Sequence, residues 1–311
     1  MDASVRLYVK RDDRYSPLPG TALQGNKVRK LAPLLPDLPN YARLVSFGGP
    51  YSNHLAALFA LTEQRGLSLT CFVRGEVVSN PILDAGAAAG GEVRFLDRTT
   101  YRRKHLPEIL YPLLQQVADD HQLSLTDLLV IPEGGTFAWD SLNVPNLNHG
   151  KTAAYHRAQL SSSGQPLHEI AQELGRPPDY CCVSMGTGGT AAGLALAART
   201  YPTTRLEVFP ALRGHWMRSE IERIAQTSDL PNLRVHTTYH IGGYAKFPSD
   251  WTLHRPPGQL AYRVQLPGRP NLPPLEPVYT AKLFRAVLTR LQQDHYPPGS
   301  TVALLHTGGI Y

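Results

Sequence analysis

The stretch "ARLVSFGGPYSNHLAALFALTEQRGLSLTCFV", residues 42–73, decides how this chain is read. "ARLVSF" is a short apolar run of strand length. A glycine turn follows, then "SNHLAALFALTEQRG" with helical spacing of its leucines and a stop at Gly66, then a second apolar run, "LSLTCFV". Strand, turn, helix, strand is a βαβ unit, which predicts parallel pairing. The pattern extends outward. "NPILDAGAAAGG" reads as a helix, "EVRFLD" as a strand, "HLPEILYPLLQQVADDH" as a helix and "LLVIP" as a strand. A second series comes later, with strands at "DYCCVSM", "RLEVFP", "RVHTTYH" and "TVALLH" and helices at "GTAAGLALAARTY" and "VYTAKLFRAVLTRLQQDH". Between the series, "FAWDSLNVPNLNHGK" has no clear period, and "SSSGQP" (161–166) reads as a loop. The chain is therefore expected to be α/β. A small domain is placed at 33–137, inserted in a large domain made of 1–32 and 138–311.

Composition narrows the class. Of 311 residues, 42% are hydrophobic and 18% charged, which suits a buried core and argues against disorder. The net charge of +6 comes from 31 Lys and Arg that are dispersed, with no basic run and no aromatic–basic repeat. That suits a small-anion site better than a nucleic-acid surface. Three cysteines, Cys71, Cys181 and Cys182, fit neither a disulfide framework nor a metal site, and the last two read as buried strand residues. The start carries no apolar signal region, and no run of about 18 apolar residues occurs. A soluble cytoplasmic protein with no membrane partner is expected.

The chemistry gathers in loops at element boundaries, the usual ligand positions of open α/β sheets. "QGNKVRKL" (24–31) sets Lys27 just after a Gly-Asn turn at the mouth of a helix, where a cation is electrostatically disfavoured. "MGTGGTAAG" (185–193) follows a strand and opens a helix, so its backbone N–H groups suit an anion. It lacks the Gly-Lys-Ser/Thr of a P-loop. It fits G-x-G-x-x-A, but Glu207 lies inside the next strand and not at its carboxyl end, where a ribose partner belongs. A plain strand-to-helix turn remains open for this loop. In "GGPYSNHLAA" (48–57), Ser52 or Asn53 alone would serve as a helix cap, whereas Ser52, Asn53 and His54 together suit a carboxylate. "LEPVYTAK" (275–282) brings Tyr279 and Thr280 to a helix start, and on its own this stretch reads as a core tyrosine followed by a helix-start threonine. "HTGG" (306–309) follows the last strand.

Taken together, "VKRDD", "GNKVRKL", "GGPYSNH", "IPEGGT", "GTGGTAAG", "YHIGGYAKF", "EPVYTAK" and "HTGG" resemble, in order and spacing, the pyridoxal-phosphate enzymes of the tryptophan-synthase-β-like fold (fold type II). Within them the chain is most similar to the 1-aminocyclopropane-1-carboxylate deaminase and D-cysteine desulfhydrase family. The resemblance implies that Lys27 carries pyridoxal 5'-phosphate covalently. A helix N-terminus and neighbouring cations would ease loss of its proton. It implies that Lys30 and the loop of Gly186, Thr187, Gly188, Gly189 and Thr190 hold the cofactor phosphate, and that Asn53 lies beside the cofactor's 3-oxygen. Ser52, Asn53 and His54 would receive the substrate carboxylate, with Ser52 near the reacting centre. Tyr279 and Tyr244 would touch substrate or leaving group. Thr280 would face the pyridine nitrogen, where relatives that open the cyclopropane carry a glutamate. A hydroxyl makes the ring a weaker electron sink, which points to β-elimination of a thiol from a small amino acid, as in D-cysteine desulfhydrase. Ring-opening deamination and non-catalytic cofactor binding are the alternatives. The family implies a homodimer. The resemblance fades after Thr136, and the chain ends at "HTGGIY", where several relatives continue.

Overall fold

The computed structural model describes residues 4–17, 24–137, 147–256 and 262–308. The strands are β1 (Arg6–Lys10), β2 (Arg43–Gly48), β3 (Ser68–Arg74), β4 (Glu92–Leu96), β5 (Leu128–Ile131), β6 (Tyr180–Met185), β7 (Arg205–Pro210), β8 (Leu233–Val235), β9 (Leu253–His254), β10 (Arg263–Val264) and β11 (Thr301–Leu305). The helices are α1 (Asn26–Leu31), α2 (Asn53–Arg65), α3 (Pro81–Ala88), α4 (Arg98–Arg102), α5 (Pro107–Asp120), α6 (Thr152–Leu174), α7 (Gly189–Ala198), α8 (Met217–Ala225) and α9 (Thr280–Gln292). The chain divides into two compact units. One comprises Met1–Tyr15, Gln24–Asn26 and Leu160–Tyr311, the other Ser16–Leu23 and Lys27–Gln159. The latter is wider than the 33–137 stretch marked in the sequence. Most of "FAWDSLNVPNLNHGK" lies outside the described residues. Among the described residues, no helix is long and apolar enough to cross a membrane.

The 27–159 unit holds a four-stranded parallel sheet ordered β4-β3-β2-β5. β2 and β5 are almost wholly buried, as their unbroken apolar runs require, and β4 is a half-buried edge carrying Glu92 and Arg94. Helix α2 starts at Ser52, whose Oγ accepts the Leu55 N–H at 3.4 Å, and stops at Gly66 in the left-handed conformation (φ 64°). The chain winds from β2 through β3 to β4, then crosses back to lay β5 on the other side of β2. The loops after β2 and β5 therefore flank the point where winding reverses, the preferred ligand crevice of such sheets.

The other unit holds a five-stranded parallel sheet ordered β1-β11-β6-β7-β8. Here winding reverses between β6 and β11, so the loops starting at residues 186 and 306 flank its crevice. β6 carries the buried Cys181 and Cys182, in line with the reading of both as strand core. Two expectations are corrected. "RVHTTYH" (234–240) contributes only Arg234 and Val235 to the three-residue β8, with one further bond from the His236 N–H to the Val208 carbonyl (2.9 Å). "SSSGQP" is no loop but the middle of the 23-residue helix α6. The reason is close packing. A Cβ on Gly164 would lie 2.8 Å from the Gly193 carbonyl oxygen of α7, and one on Gly193 would lie 2.6 Å from the Leu160 carbonyl oxygen. The low-propensity residues are there to let two helix backbones approach, and packing outweighs propensity.

Candidate active site

Three loops interlock ahead of Lys27. Gly25 has φ +99°, and a Cβ there would meet the Thr307 carbonyl oxygen at 3.0 Å. Gly308 has φ +97°, and its Cβ would lie 3.1 Å from the Gly25 Cα. Both positions thus require glycine, for conformation and for space. Asn26 donates its N–H to the Thr307 carbonyl (2.9 Å) and its side-chain amide to the Thr190 hydroxyl (3.1 Å). The turn before Lys27 is therefore tied at once to the loop after β11 and to the glycine loop after β6. His306 anchors the arrangement from below. Its Nε2 faces the Pro274 carbonyl (2.8 Å), and its Nδ1 accepts the Gly308 N–H (3.3 Å). Only the neutral Nε2–H tautomer satisfies both, and burial lowers the ring's pKa in the same sense. Asp13, 3.6 Å away, is held by a two-pronged bond from Arg11.

The glycine loop leaves β6 at Met185 and enters α7 through Gly188, which has φ +91°. Tyr279 lies flush on this loop, so that a Cβ on Gly186 would be 2.8 Å from its ring. The Tyr244 ring meets the Tyr279 ring edge-on, with centroids 6.3 Å apart. Lys282 fixes the loop bearing Tyr244 by donating to the carbonyls of His240 (3.0 Å) and Gly243 (2.6 Å). Burial lowers Lys282 to about 8, against the pull of Glu276. Glu276 caps helix α9, its two carboxyl oxygens accepting the N–H groups of Val278 and Tyr279, each at 2.8 Å. Burial pushes its pKa up to about 7 despite these bonds. Thr280 is fully buried and donates its hydroxyl proton to the Glu276 carbonyl (2.9 Å).

The 27–159 unit carries the other candidate residues. Lys27 is half-buried. Lys30, one turn along α1, is 1% exposed and donates to the Gly134 carbonyl at 3.1 Å. Burial, reinforced by Lys27, lowers its pKa well below the usual lysine value. Ser52 and Asn53 stand half-buried at the start of α2. His54 sits beneath them at 1% exposure, its Nε2 2.8 Å from the Ser46 hydroxyl. Ser46 gives its own proton to the Ile131 carbonyl (2.7 Å), so the ring donates from Nε2 and its Nδ1 carries a bare lone pair. Burial, Lys27 and Lys30 all lower the His54 pKa, and the ring is neutral. Gly135 faces it, and a Cβ there would lie 3.2 Å from Nδ1. The buried His54 Nδ1 and Thr136 Oγ1 find no hydrogen-bond partner among the described residues.

Glu207 settles a point left open by the sequence. It is 4% exposed and held by Tyr296 (2.9 Å) and Arg290 (3.1 Å), with His236 at 3.2 Å. Burial raises its pKa, and these partners more than offset that. It is a structural carboxylate with no free face for a ribose. Asn26, Ser46, Thr307, Glu276 and Lys282 also lie within the quoted stretches, but nothing in the sequence sets them apart. Their signal is three-dimensional, a shared hydrogen bond or burial. Among the described residues no group of three His, Cys, Asp or Glu could hold a metal.

Comparison with known proteins bears on the fold and the kinship of the chain. No family model matches the chain. A Pyrococcus furiosus protein provisionally named a 1-aminocyclopropane-1-carboxylate deaminase is 26% identical over 317 residues, covering 98% of this chain and 84% of that protein. The 1-aminocyclopropane-1-carboxylate deaminase of Ralstonia pickettii is 26% identical over 332 residues, covering 100% of this chain and 88% of its own. Among solved structures, an "ACC deaminase homologue" superposes with a TM-score of 0.69 at 22% identity, over 97% of this chain and 84% of that one. A hydrogen sulfide-producing enzyme from Fusobacterium nucleatum superposes with a TM-score of 0.60 at 14% identity, over 99% of this chain and 92% of that one.

Proposed function

From its fold, which is that of the pyridoxal-phosphate fold type II enzymes, and its kinship with proteins named 1-aminocyclopropane-1-carboxylate deaminase, we propose that this chain is a pyridoxal-phosphate-dependent lyase. It removes a leaving group from Cβ of a small amino acid and yields a 2-oxo acid and ammonia. The observation that carries the reading is the locked turn at Gly25 and Asn26. Two separate loops hold it, one of them the glycine loop, and Lys27 is the next residue.

The residues present fit the cofactor. The N–H groups at residues 186–190 open the ten-residue helix α7, a favourable seat for a phosphate. The Tyr279 ring against Gly186 leaves no room for a side chain at that glycine. The buried, unpartnered His54 Nδ1 and Thr136 Oγ1 are polar atoms still in need of a partner. Pyridoxal phosphate supplies an electron sink that makes the α-proton of a bound amino acid acidic. Lys27 takes that proton. Ser52 and Asn53, at the N-terminal end of α2, receive the substrate carboxylate. His54 works from below. As a neutral ring that adds no cation, it leaves Lys27 no further charge to contend with. Tyr279 and Tyr244 are the candidates to touch substrate or leaving group.

The finer choice, β-elimination over cyclopropane opening, rests on the start of α9. Thr280 spends its proton on a backbone carbonyl, and the carboxyl of Glu276 is turned back onto its own helix. A cofactor ring nitrogen held at Thr280 would thus find no carboxylate partner there, and the sink would be weak and suit a substrate with a good leaving group. In the elimination the Cα–H electrons form the Cα–Cβ double bond while the leaving group departs with the Cβ bonding pair. One water then converts the three-carbon enamine to 2-oxo acid and ammonia.

The test is a visible absorption spectrum of the purified protein, borohydride trapping with peptide mapping, and a panel of D- and L-cysteine, chloroalanine, serine and 1-aminocyclopropane-1-carboxylate scored for 2-oxo acid. A visible band, a pyridoxyl label on Lys27 and release from cysteine or chloroalanine of one chirality are expected. A label on Lys30, or no band, overturns the cofactor assignment. Efficient turnover of the cyclopropane would establish the reaction named for the relatives instead, and a labelled but inert protein would be a cofactor-binding relative without catalysis.

A further inference from the structure

A cavity of about 620 Å³ lies in the 27–159 unit, lined by residues that have no part in the chemistry above. All four strand ends contribute to it. Pro50 stands two residues past β2, Arg74 is the last residue of β3, Arg98 stands two past β4 and Glu133 two past β5. It therefore opens at the carboxyl edge of a parallel sheet, where α/β proteins bind ligands. Its charge is one-sided. Arg74, Arg98, Arg102 and Lys104 face a single carboxylate, Glu133, which Lys104 already holds at 2.9 Å. Asp97 turns its carboxylate onto the N–H groups of Thr99 (2.9 Å) and Thr100 (3.0 Å). Among the described residues no carboxylate lies within ion-pair distance of Arg74, Arg98 or Arg102.

A merely solvated basic face would be convex and dispersed. These cations instead line a concavity that includes the buried Tyr101, with the Lys104 ammonium 4.0 Å above the Tyr101 ring. The cavity also shares a loop with the proposed substrate segment. Pro50 belongs to the loop that ends in Ser52, and Asn80 fixes that loop by donating to the Pro50 carbonyl at 3.1 Å. Two residues of chain span at most about 7 Å. A side chain of a few atoms, on an amino acid whose carboxylate rests at Ser52 and Asn53, reaches that far.

We propose that this cavity is the subsite for the substrate's side chain, and that the side chain carries an oxyanion on Cβ, a phosphate ester being the chemistry that matches. Arginine forks bind phosphate oxygens in pairs, and three unpaired arginines with one lysine suit a dianion better than a single carboxylate. The inference rests on the lyase reading and names its substrate class. In the elimination the Lys27 amine accepts the α-proton, the Cβ–O bond breaks, and its electron pair leaves with phosphate. One water converts the remaining enamine to 2-oxo acid and ammonia.

The experiment uses cofactor-loaded protein, so that the cofactor's own phosphate seat is filled. O-phosphoserine and chloroalanine of each chirality are compared in the wild type and in the Arg98→Ala/Arg102→Ala variant, with Arg74→Gln as a second, milder variant. The wild type should prefer O-phosphoserine, and both variants should lower the ratio of its kcat/KM to that of chloroalanine, the double variant by at least about tenfold. Inorganic phosphate should inhibit chloroalanine turnover competitively, and its calorimetric binding should weaken in the variants. If chloroalanine is turned over and the ratio does not move, the subsite is wrong and the lyase reading stands. Phosphate that binds without competing would make the cavity an effector site and overturn the proposal. A protein that takes up no cofactor overturns both.

Discussion

At the scale of single residues, Glu276 is the position where burial and function meet most closely. Its carboxyl caps α9 from a site that is 4% exposed, and burial raises its pKa from 4.5 to about 7. The folded protein therefore keeps this proton to higher pH than the unfolded chain. Stability contributed by the protonated form is complete below about pH 4.5 and is lost as pH rises through 7, by on the order of 3 kcal/mol. Glu276→Gln has no such proton to lose. The stability of the variant relative to wild type should climb between pH 4.5 and 7 and level off above, as read by denaturant unfolding at a series of pH values. A difference that stays flat across the range would show that the carboxyl is solvated. Residues of this kind were only half legible. "LEPVYTAK" marked the helix start, and Thr280 and Tyr279 were singled out there, but nothing local says that Glu276 is buried. Lys30 is similar. Its place one turn after Lys27 is legible through the family resemblance, but only the fold encloses it against Gly134.

At the scale of elements, the α6–α7 contact shows why "SSSGQP" was misread. A glycine in an exposed helix costs up to about 1 kcal/mol relative to alanine, so replacing it normally stabilises. Here the sign should reverse. Gly193→Ala puts a methyl group 2.6 Å from the Leu160 carbonyl oxygen and 2.5 Å from the Ser163 Cβ, both on a packed backbone that cannot move aside cheaply. The variant should lose about 1–3 kcal/mol, as overpacked cores do, and thermal unfolding will read it as a lowered Tm. An unchanged or raised Tm would mean that the two helices part easily. The same backbone logic made the loop glycines legible. Gly66 was placed correctly because a helix stop and a left-handed φ of 64° are one local requirement. That Gly25 and Gly308 each require the other was not legible, because their contact joins residues 283 positions apart.

At the scale of the whole molecule, the net charge of +6 looked dispersed along the chain, yet the fold gathers Arg74, Arg98, Arg102 and Lys104 around one cavity. Cofactor binding is a whole-molecule property as well. A ligand that binds only the folded state adds about 2.7 kcal/mol of stability at one hundred times its Kd. Adding pyridoxal phosphate to protein stripped of it should raise Tm by several degrees, and Thr190→Val, which removes the hydroxyl that Asn26 holds, should reduce that rise. An equal Tm with and without cofactor would leave the glycine loop as a turn. By itself the sequence determined the type of most elements, the parallel strands of the two main sheets and the boundary loops, because hydrophobic period, helix stops and glycine turns are set by neighbours a few residues away. Tertiary structure alone decided the strand orders, the helical state of 161–166, the neutral His54 with its bare Nδ1, the burial of Glu276 and Lys30, and the occupation of Glu207. Each of these depends on which distant backbone or side chain arrives as a partner. Burial and hydrogen-bond satisfaction are sums over such contacts, and no local window contains them.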